Sequence, residues 1–270
     1  MRRAAAPAKI NLALVVGPRR ADGRHELVTV YQRVALTDRI AVSRSSELRI
    51  RGFAEDTLIR RALAAIADGD GSTFAARIDK RIPVAAGLGG GSTDAATALR
   101  LANELRDEPL ADDRLRALAH ELGADVPYFL LDGPRLGTGD GTELAPLDLP
   151  QDYWVLLVLP AGEEKASTQQ VYASFDDRGG EDGYEDRRAA LLRTLTRVRR
   201  PRDLAALPPN DLASSPLADD LRELGAFRAD VTGAGPVVYG LFLHGTQARA
   251  ARKDISSKGR TWLTAPAWYR

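Results

Sequence analysis

The stretch Pro83-Val84-Ala85-Ala86-Gly87-Leu88-Gly89-Gly90-Gly91-Ser92-Thr93-Asp94-Ala95-Ala96 joins a bare glycine loop directly to the start of a helix. Four glycines in the five positions 87–91 remove the Cβ atoms that would keep backbone N–H groups away from a ligand, and they permit positive φ. Ser92, Thr93 and Asp94 each carry an N-capping side chain, and Ala95, Ala98, Leu99, Ala102 and Leu105 then recur at helical spacing, which predicts a helix over 92–106. Exposed N–H groups and the positive end of a helix dipole converge at such a junction, and a phosphate is their natural guest. A plain surface turn is the simpler alternative, but this loop has Val84, Leu88 and an alanine-rich helix beside it and no Lys, Glu or Asn to solvate it.

Two familiar phosphate-binding patterns do not fit. A Walker loop needs Lys after its last glycine, and Gly91 is followed by Ser92 and Thr93; a dinucleotide fingerprint needs glycines at relative positions one, three and six, and Gly87, Gly89 and Gly91 stand at one, three and five. Pro83, the glycines and the Ser/Thr/Asp-Ala-Ala exit instead resemble the second motif of the GHMP kinases, a family of small-molecule kinases. Three further segments extend the resemblance: Pro7-Ala8-Lys9-Ile10-Asn11-Leu12, followed by Arg19 to Leu27; Leu122-Gly123-Ala124-Asp125-Val126-Pro127; and Val231-Thr232-Gly233-Ala234-Gly235-Pro236. The likeness runs from residue 4 to about 243 and takes in Asn210-Asp211-Leu212.

The resemblance implies a two-lobed α+β fold with a ribosomal-S5-like N-terminal nucleotide lobe (1–150) and a ferredoxin-like C-terminal lobe (151–270). It implies transfer of the ATP γ-phosphate, with Mg2+ carried on the nucleotide, to a small-molecule cytidine diphosphate alcohol in non-mevalonate isoprenoid synthesis. Pro83, Ala85, Ala86, Gly87, Leu88, Gly89, Gly90, Gly91, Ser92 and Thr93 are the implied ATP-binding residues, and Asn11, Arg24, His25, Tyr172, Gly233 and Ala234 the implied substrate-binding ones. Another alcohol as acceptor, or a non-catalytic nucleotide-binding regulator on the same fold, are the competing readings.

Phosphoryl transfer asks a protein for a phosphate cradle, a cation and an acceptor for the hydroxyl proton. Lys9 is the candidate cation, because the chain has 33 arginines and only five lysines, and a lysine in an apolar strand is costly to bury unpaired. A lysine snorkelling at a strand edge is the plain alternative. Asp125 lies between the Gly123 helix stop and Val126-Pro127; alone it reads as a cap for the segment 126–131, and paired with Lys9, as the resemblance implies, it becomes the base. Where relatives have DGYH around the cytosine, this chain has Asp22-Gly23-Arg24-His25, so the histidine matches and a guanidinium stands in place of the ring. Tyr172 falls at the second aromatic wall, and Thr57 stands where relatives carry Asn near the adenine.

Composition agrees with an enzyme acting on small molecules. Lys+Arg 38 against Asp+Glu 37 gives a formal charge of +1, so no global field draws the chain to nucleic acid or an anionic membrane. The absence of cysteine excludes disulfides and thiolate metal sites and suits the cytoplasm. Pro7, Lys9 and Asn11 interrupt any leader after Arg2 and Arg3, and no stretch approaches the ~20 apolar residues of a membrane span. No side-chain metal site is assigned: His25-Glu26 and His120-Glu121 lack the second histidine of a zinc-protease helix, and Asp68 to Ser72 lacks the closing glutamate of a calcium loop. The oligomeric state is not encoded in any motif.

Strands are expected over Ile10–Val16, over Leu27–Val34 with Ile40 and Val42 beyond, and over Val155–Leu159; helices over 57–67, 92–106 and 113–122, the last capped by Asp112 or Asp113 and stopped by Gly123. Gly133 to Pro150 reads as a crossing between lobes, and Asp176 to Asp186 as a mobile acidic loop.

Overall fold

Two long strands organise the N-terminal part of the computed structural model, which describes residues 1–53, 57–67, 72–162 and 167–267. They are β1 (Arg2–Arg19) and β2 (His25–Arg44), followed by β3 (Arg49–Arg51), α1 (Thr57–Ala67), β4 (Phe74–Asp79), α2 (Gly90–Asn103) and α3 (Asp112–Leu122). Then come β5 (Arg135–Thr138), β6 (Glu143–Pro146), β7 (Trp154–Pro160), α4 (Thr168–Asp177), α5 (Tyr184–Leu195) and α6 (Pro216–Glu223). The chain closes with β8 (Arg228–Val231), β9 (Val238–Phe242), α7 (Gly245–Ile255) and β10 (Gly259–Thr264). The elements divide into two compact units, one of Met1–Ala8, Leu36–Val84 and Gly89–Asp132, the other of Lys9–Ala35, Ala85–Leu88 and Gly133–Arg270.

In the first unit the end of β2 pairs antiparallel with β4, with Ile40 opposite Ile78 and Val42 opposite Ala76, and β3 adds in parallel beside β4. The side chains of Val42, Phe74, Ala76 and Ile78 are buried, as period-two alternation requires of a half-covered sheet. Helix α1 packs along α2. Ala95, Ala96, Ala98, Leu99 and Ala102 are all fully buried, so α2 is enclosed on nearly every side, and small side chains are what let neighbours approach it that closely.

In the second unit β7, β8, β9 and β10 form an antiparallel sheet in the order β10-β7-β9-β8. With α6 between β7 and β8, and α7 between β9 and β10, this is the ferredoxin-like β-α-β-β-α-β arrangement. Its core is Leu156, Val158, Leu217, Leu221, Val238, Phe242, Ala248, Ala251 and Ile255. The mixture of helices and antiparallel sheets is the α+β architecture expected.

Several local expectations are corrected. The two N-terminal runs 27–34 and 40–42 are one continuous strand, β2. Helix α2 starts at Gly90 and is capped by Gly89 in the left-handed region (φ 67°), not by Ser92, Thr93 or Asp94; Thr93 N already donates to Gly89 O at 2.9 Å. Glycine turns the chain into the helix without needing a capping side chain. Ala111, not Asp112 or Asp113, caps α3, and Gly123 ends it in extended backbone (φ 162°) rather than in the left-handed stop expected. Gly133 to Pro150 contains the hairpin of β5 and β6, with Leu136 opposite Ala145; its glycines serve the turn, where Gly139 and Gly141 both have positive φ. The 176–186 stretch is the end of α4, a turn with Gly180 N bonded to Phe175 O at 2.9 Å, and the start of α5 at a buried Tyr184. Residues 55, 56, 68–71 and 165 lie outside the described residues, as does the Thr57 side chain.

Candidate active site

Lys9 lies in β1 with only 4% of its surface exposed, and its Nζ donates to Asn11 Oδ1 at 2.7 Å. Residues two apart on a strand share a face, which brings the two side chains together. The ammonium also stands 5.8 Å from the centre of the Tyr31 ring. Asn11 is held from the other side: its Nδ2 donates to Thr29 Oγ1 at 2.7 Å, and Thr29 Oγ1 donates to Ala13 O at 2.8 Å. The amide orientation is therefore set, with its oxygen toward the lysine.

The Thr232-Gly233 turn between β8 and β9 closes on this pair. Asn11 N donates to Thr232 Oγ1 at 3.0 Å. A Cβ on Gly233 would stand 3.4 Å from Lys9 Nζ and 3.5 Å from Asn11 Oδ1, so the turn's backbone itself lines the ammonium. Asn210 fixes that turn, donating from Nδ2 to Gly233 O at 2.7 Å and to Val231 O at 3.0 Å. Asp230 accepts from Asn210 N at 2.9 Å and from Val231 N at 2.8 Å; burial pushes its carboxyl above the usual range against the pull of Arg228. Behind it Arg228 Nε donates to Tyr239 Oη at 3.0 Å, whose hydroxyl donates to Leu12 O at 3.2 Å; burial pushes this phenol up to about 12. Neutral Tyr239 is thus a donor throughout the physiological range, tying β9 to β1.

The first part of the glycine loop meets the same group. Lys9 N donates to Leu88 O at 3.0 Å, and Val237 N to Ala86 O at 3.4 Å. Gly87 has φ 78°, and a Cβ there would be 2.2 Å from Thr232 O, so only glycine fits. Ala85 has φ 60° without being glycine, a conformation that costs roughly 1–2 kcal/mol and concentrates at functional loops. Beyond Gly89 the chain enters α2, whose N-terminus has no side-chain cap. The N–H groups of the first helical residues, Gly90, Gly91 and Ser92, have no intrahelical acceptor. Ser92 is half-buried at this end and Thr93 fully buried.

Asp125 is half-buried and precedes the 3-10 turn Pro127–Leu130, whose cap position is Val126 with no side-chain cap bond.

His25, at the start of β2, is buried and places Nε2 2.7 Å from Asp176 Oδ1. Tyr172 stacks on the imidazole with ring centroids 4.9 Å apart, and Phe175 meets it edge-on at 5.9 Å. Tyr172 and Ala234 both pack on the cluster of Leu14, Val16, Leu27, Phe175 and Leu212. Arg24 is turned to Asp140 in an ion pair rather than laid over His25. Burial raises the Asp140 carboxyl, but the Thr142 hydroxyl and the Arg24 guanidinium outweigh it and hold the group below the usual range.

Thr29, Thr232, Asn210 and Asp176 were not singled out from the sequence. Asn210 lies within a segment that carried the resemblance, and Thr232 precedes a candidate residue; nothing local marks Thr29 or Asp176.

Known proteins resemble this chain in sequence and in fold. Residues 57–133 match the GHMP kinases N terminal domain. The chain is 37% identical to the 4-diphosphocytidyl-2-C-methyl-D-erythritol kinase of Pelobacter propionicus, over 97% of this chain and 96% of that one. It is 38% identical to the protein of the same name from Nocardia farcinica, over 94% and 89%. The crystal structure of a 4-(cytidine 5'-diphospho)-2C-methyl-D-erythritol kinase superposes with TM-score 0.80 at 31% identity, covering 99% of this chain and all of that one. Mevalonate kinase from Methanococcus jannaschii shares the fold, at TM-score 0.75 and 14% identity.

Proposed function

Because the chain belongs to the 4-diphosphocytidyl-2-C-methyl-D-erythritol kinases, we propose how its own residues carry out ATP-dependent phosphorylation of that alcohol in isoprenoid biosynthesis. The γ-phosphate is transferred to the 2-hydroxyl of the methylerythritol moiety. Gly87 to Thr93 cradle the nucleotide phosphates with backbone N–H groups, flanked by Pro83, Ala85 and Ala86. Lys9, oriented by Asn11, offsets the charge spread over the transferring group, and Asp125 takes the hydroxyl proton. His25 meets the cytosine through the ring nitrogen not committed to Asp176, Tyr172 supplies an aromatic wall, and Gly233 and Ala234 line the acceptor.

One observation carries the reading: a buried ammonium donates to Asn11 while its own backbone N–H is bonded to the glycine loop at Leu88. A structural lysine at a strand edge would send its head to water. Mg2+ is proposed to arrive on ATP, where it would supply positive charge to the phosphates. A cytoplasmic location and the family division at residue 150 belong to the same proposal.

The test is Asp125→Asn, assayed for ADP and phosphorylated product with Mg-ATP and the cytidine diphosphate alcohol. A kcat loss of about 10²-fold or more with unchanged ATP affinity is expected for a missing base. Near-wild-type turnover would remove Asp125 from the chemistry.

A further inference from the structure

A second lysine, half-buried, stands behind the other end of the glycine loop. Lys80, the residue after β4, donates from Nζ to Asp38 Oδ2 at 2.8 Å and to Asp94 Oδ2 at 2.5 Å, and both carboxylates are fully buried. Asp38 spends its other oxygen on the backbone N–H groups of Arg81 and Ile82, which pins the start of the loop segment to β2. The groups facing Lys80 are Asp38 from β2, Asp94 from α2 and the Phe53 ring at 6.0 Å; the Arg81 guanidinium turns away to Asp79 at 2.9 Å. Gly90 leaves the ammonium its place, since a Cβ there would stand 3.2 Å from Nζ.

One cation thus serves two carboxylates, and one of these, Asp94, is the fifth residue of α2. A negative charge within about one turn of a helix N-terminus competes with any anion for the same positive end. Two buried carboxylates side by side also cannot both remain ionised without a cation between them. Burial pulls the Lys80 ammonium down, but Asp94 and Asp38 outweigh it and its pKa is raised, so the lysine stays charged.

We propose that Lys80 is a positioning residue for nucleotide binding: it neutralises Asp94 behind the first turn of α2, so that the N–H groups of Gly90, Gly91 and Ser92 remain attractive to phosphate. The inference rests on the reading of this loop as the phosphate cradle. Its content is electrostatic, which separates it from a merely structural ion pair.

The experiment is calorimetric titration of the full chain with ATP between pH 6 and 8.5, each variant's Kd taken as a ratio to wild type so that titration of ATP itself cancels. Lys80→Met should weaken binding by about tenfold or more at pH 8.5, and the ratio should shrink toward pH 6 as the two carboxylates share a proton. Asp94→Asn, an isosteric change, should tighten binding, and Lys80→Met combined with Asp94→Asn should return to within about threefold of wild type because its net charge matches. If Lys80→Met does not fold, the other two variants decide. A pH-independent ratio near one for Lys80→Met, weaker binding by Asp94→Asn, or a double variant no better than the single one would overturn the role of Lys80. Absence of ATP binding by wild type would instead overturn the phosphate-cradle reading on which it rests.

Discussion

The imidazole of His25 lies nearly parallel to the phenol of Tyr172, ring centroids 4.9 Å apart and planes 25° from one another, while its Nε2 is tied to Asp176. Tyr172 and Asp176 both project from α4, one turn apart, so a single helix braces the ring by a face and by a nitrogen. That helix is secured by a capping box in which Ser167 Oγ accepts from Gln170 N at 3.2 Å and Gln170 Oε1 from Ser167 N at 2.7 Å.

Tyr172→Ala removes a stacking face and one brace of His25. It is expected to weaken binding of the cytidine diphosphate alcohol by about 1–3 kcal/mol, the scale of base–aromatic stacking. ATP affinity should stay at its wild-type value. Comparing KM for the cytidylyl substrate with KM for the bare alcohol checks the point: equal values in wild type, or no change in the variant, would show that this ring pair does not read the base.

Gly87 and Gly133 both have positive φ, but only Gly87 has something where a Cβ would go: Thr232 O at 2.2 Å, against nothing within 4 Å at Gly133. Gly133→Ala is expected to cost roughly 1–2 kcal/mol in urea unfolding, the conformational penalty alone. Gly87→Ala should cost more and also lower kcat/KM, because displacing the Thr232 carbonyl moves the Oγ1 that holds Asn11. Equal penalties with unchanged kinetics would show that the 232–233 turn does not depend on this contact.

Asp140→Asn tests the ion pair at Arg24. A carboxyl whose folded pKa is depressed contributes stability that is fully present above its unfolded value, about 3.9, and is lost as pH falls through the folded value. Wild type should therefore be more stable than Asp140→Asn at pH 7, and the gap should narrow below about pH 4. Denaturant midpoints at pH 7 and pH 3.5 measure it; a gap that is constant or widens toward acid would contradict the lowered pKa.

The α+β class, the helix at Thr57–Ala67, the bodies of α2 and α3, the strand around Val155–Leu159 and the glycine loop are legible in the amino-acid sequence. All of these rest on local signals: apolar periodicity, β-branched runs, and glycines whose missing Cβ has a consequence within a few residues. Tertiary structure alone decided the rest. The helix cap at Gly89, the β5–β6 hairpin and the turn after α4 depend on which backbone conformation the packed chain selects, and Gly-rich or acidic composition does not distinguish a loose loop from a tight turn. The polar partners are less legible still. Asn11 meets Thr232 across 221 residues, His25 meets Asp176 across 151, and Lys80 meets Asp38 across 42. Each residue alone is unremarkable; burial beside the other makes the pairing obligatory, because an isolated polar or charged group costs more there than the fold can spare.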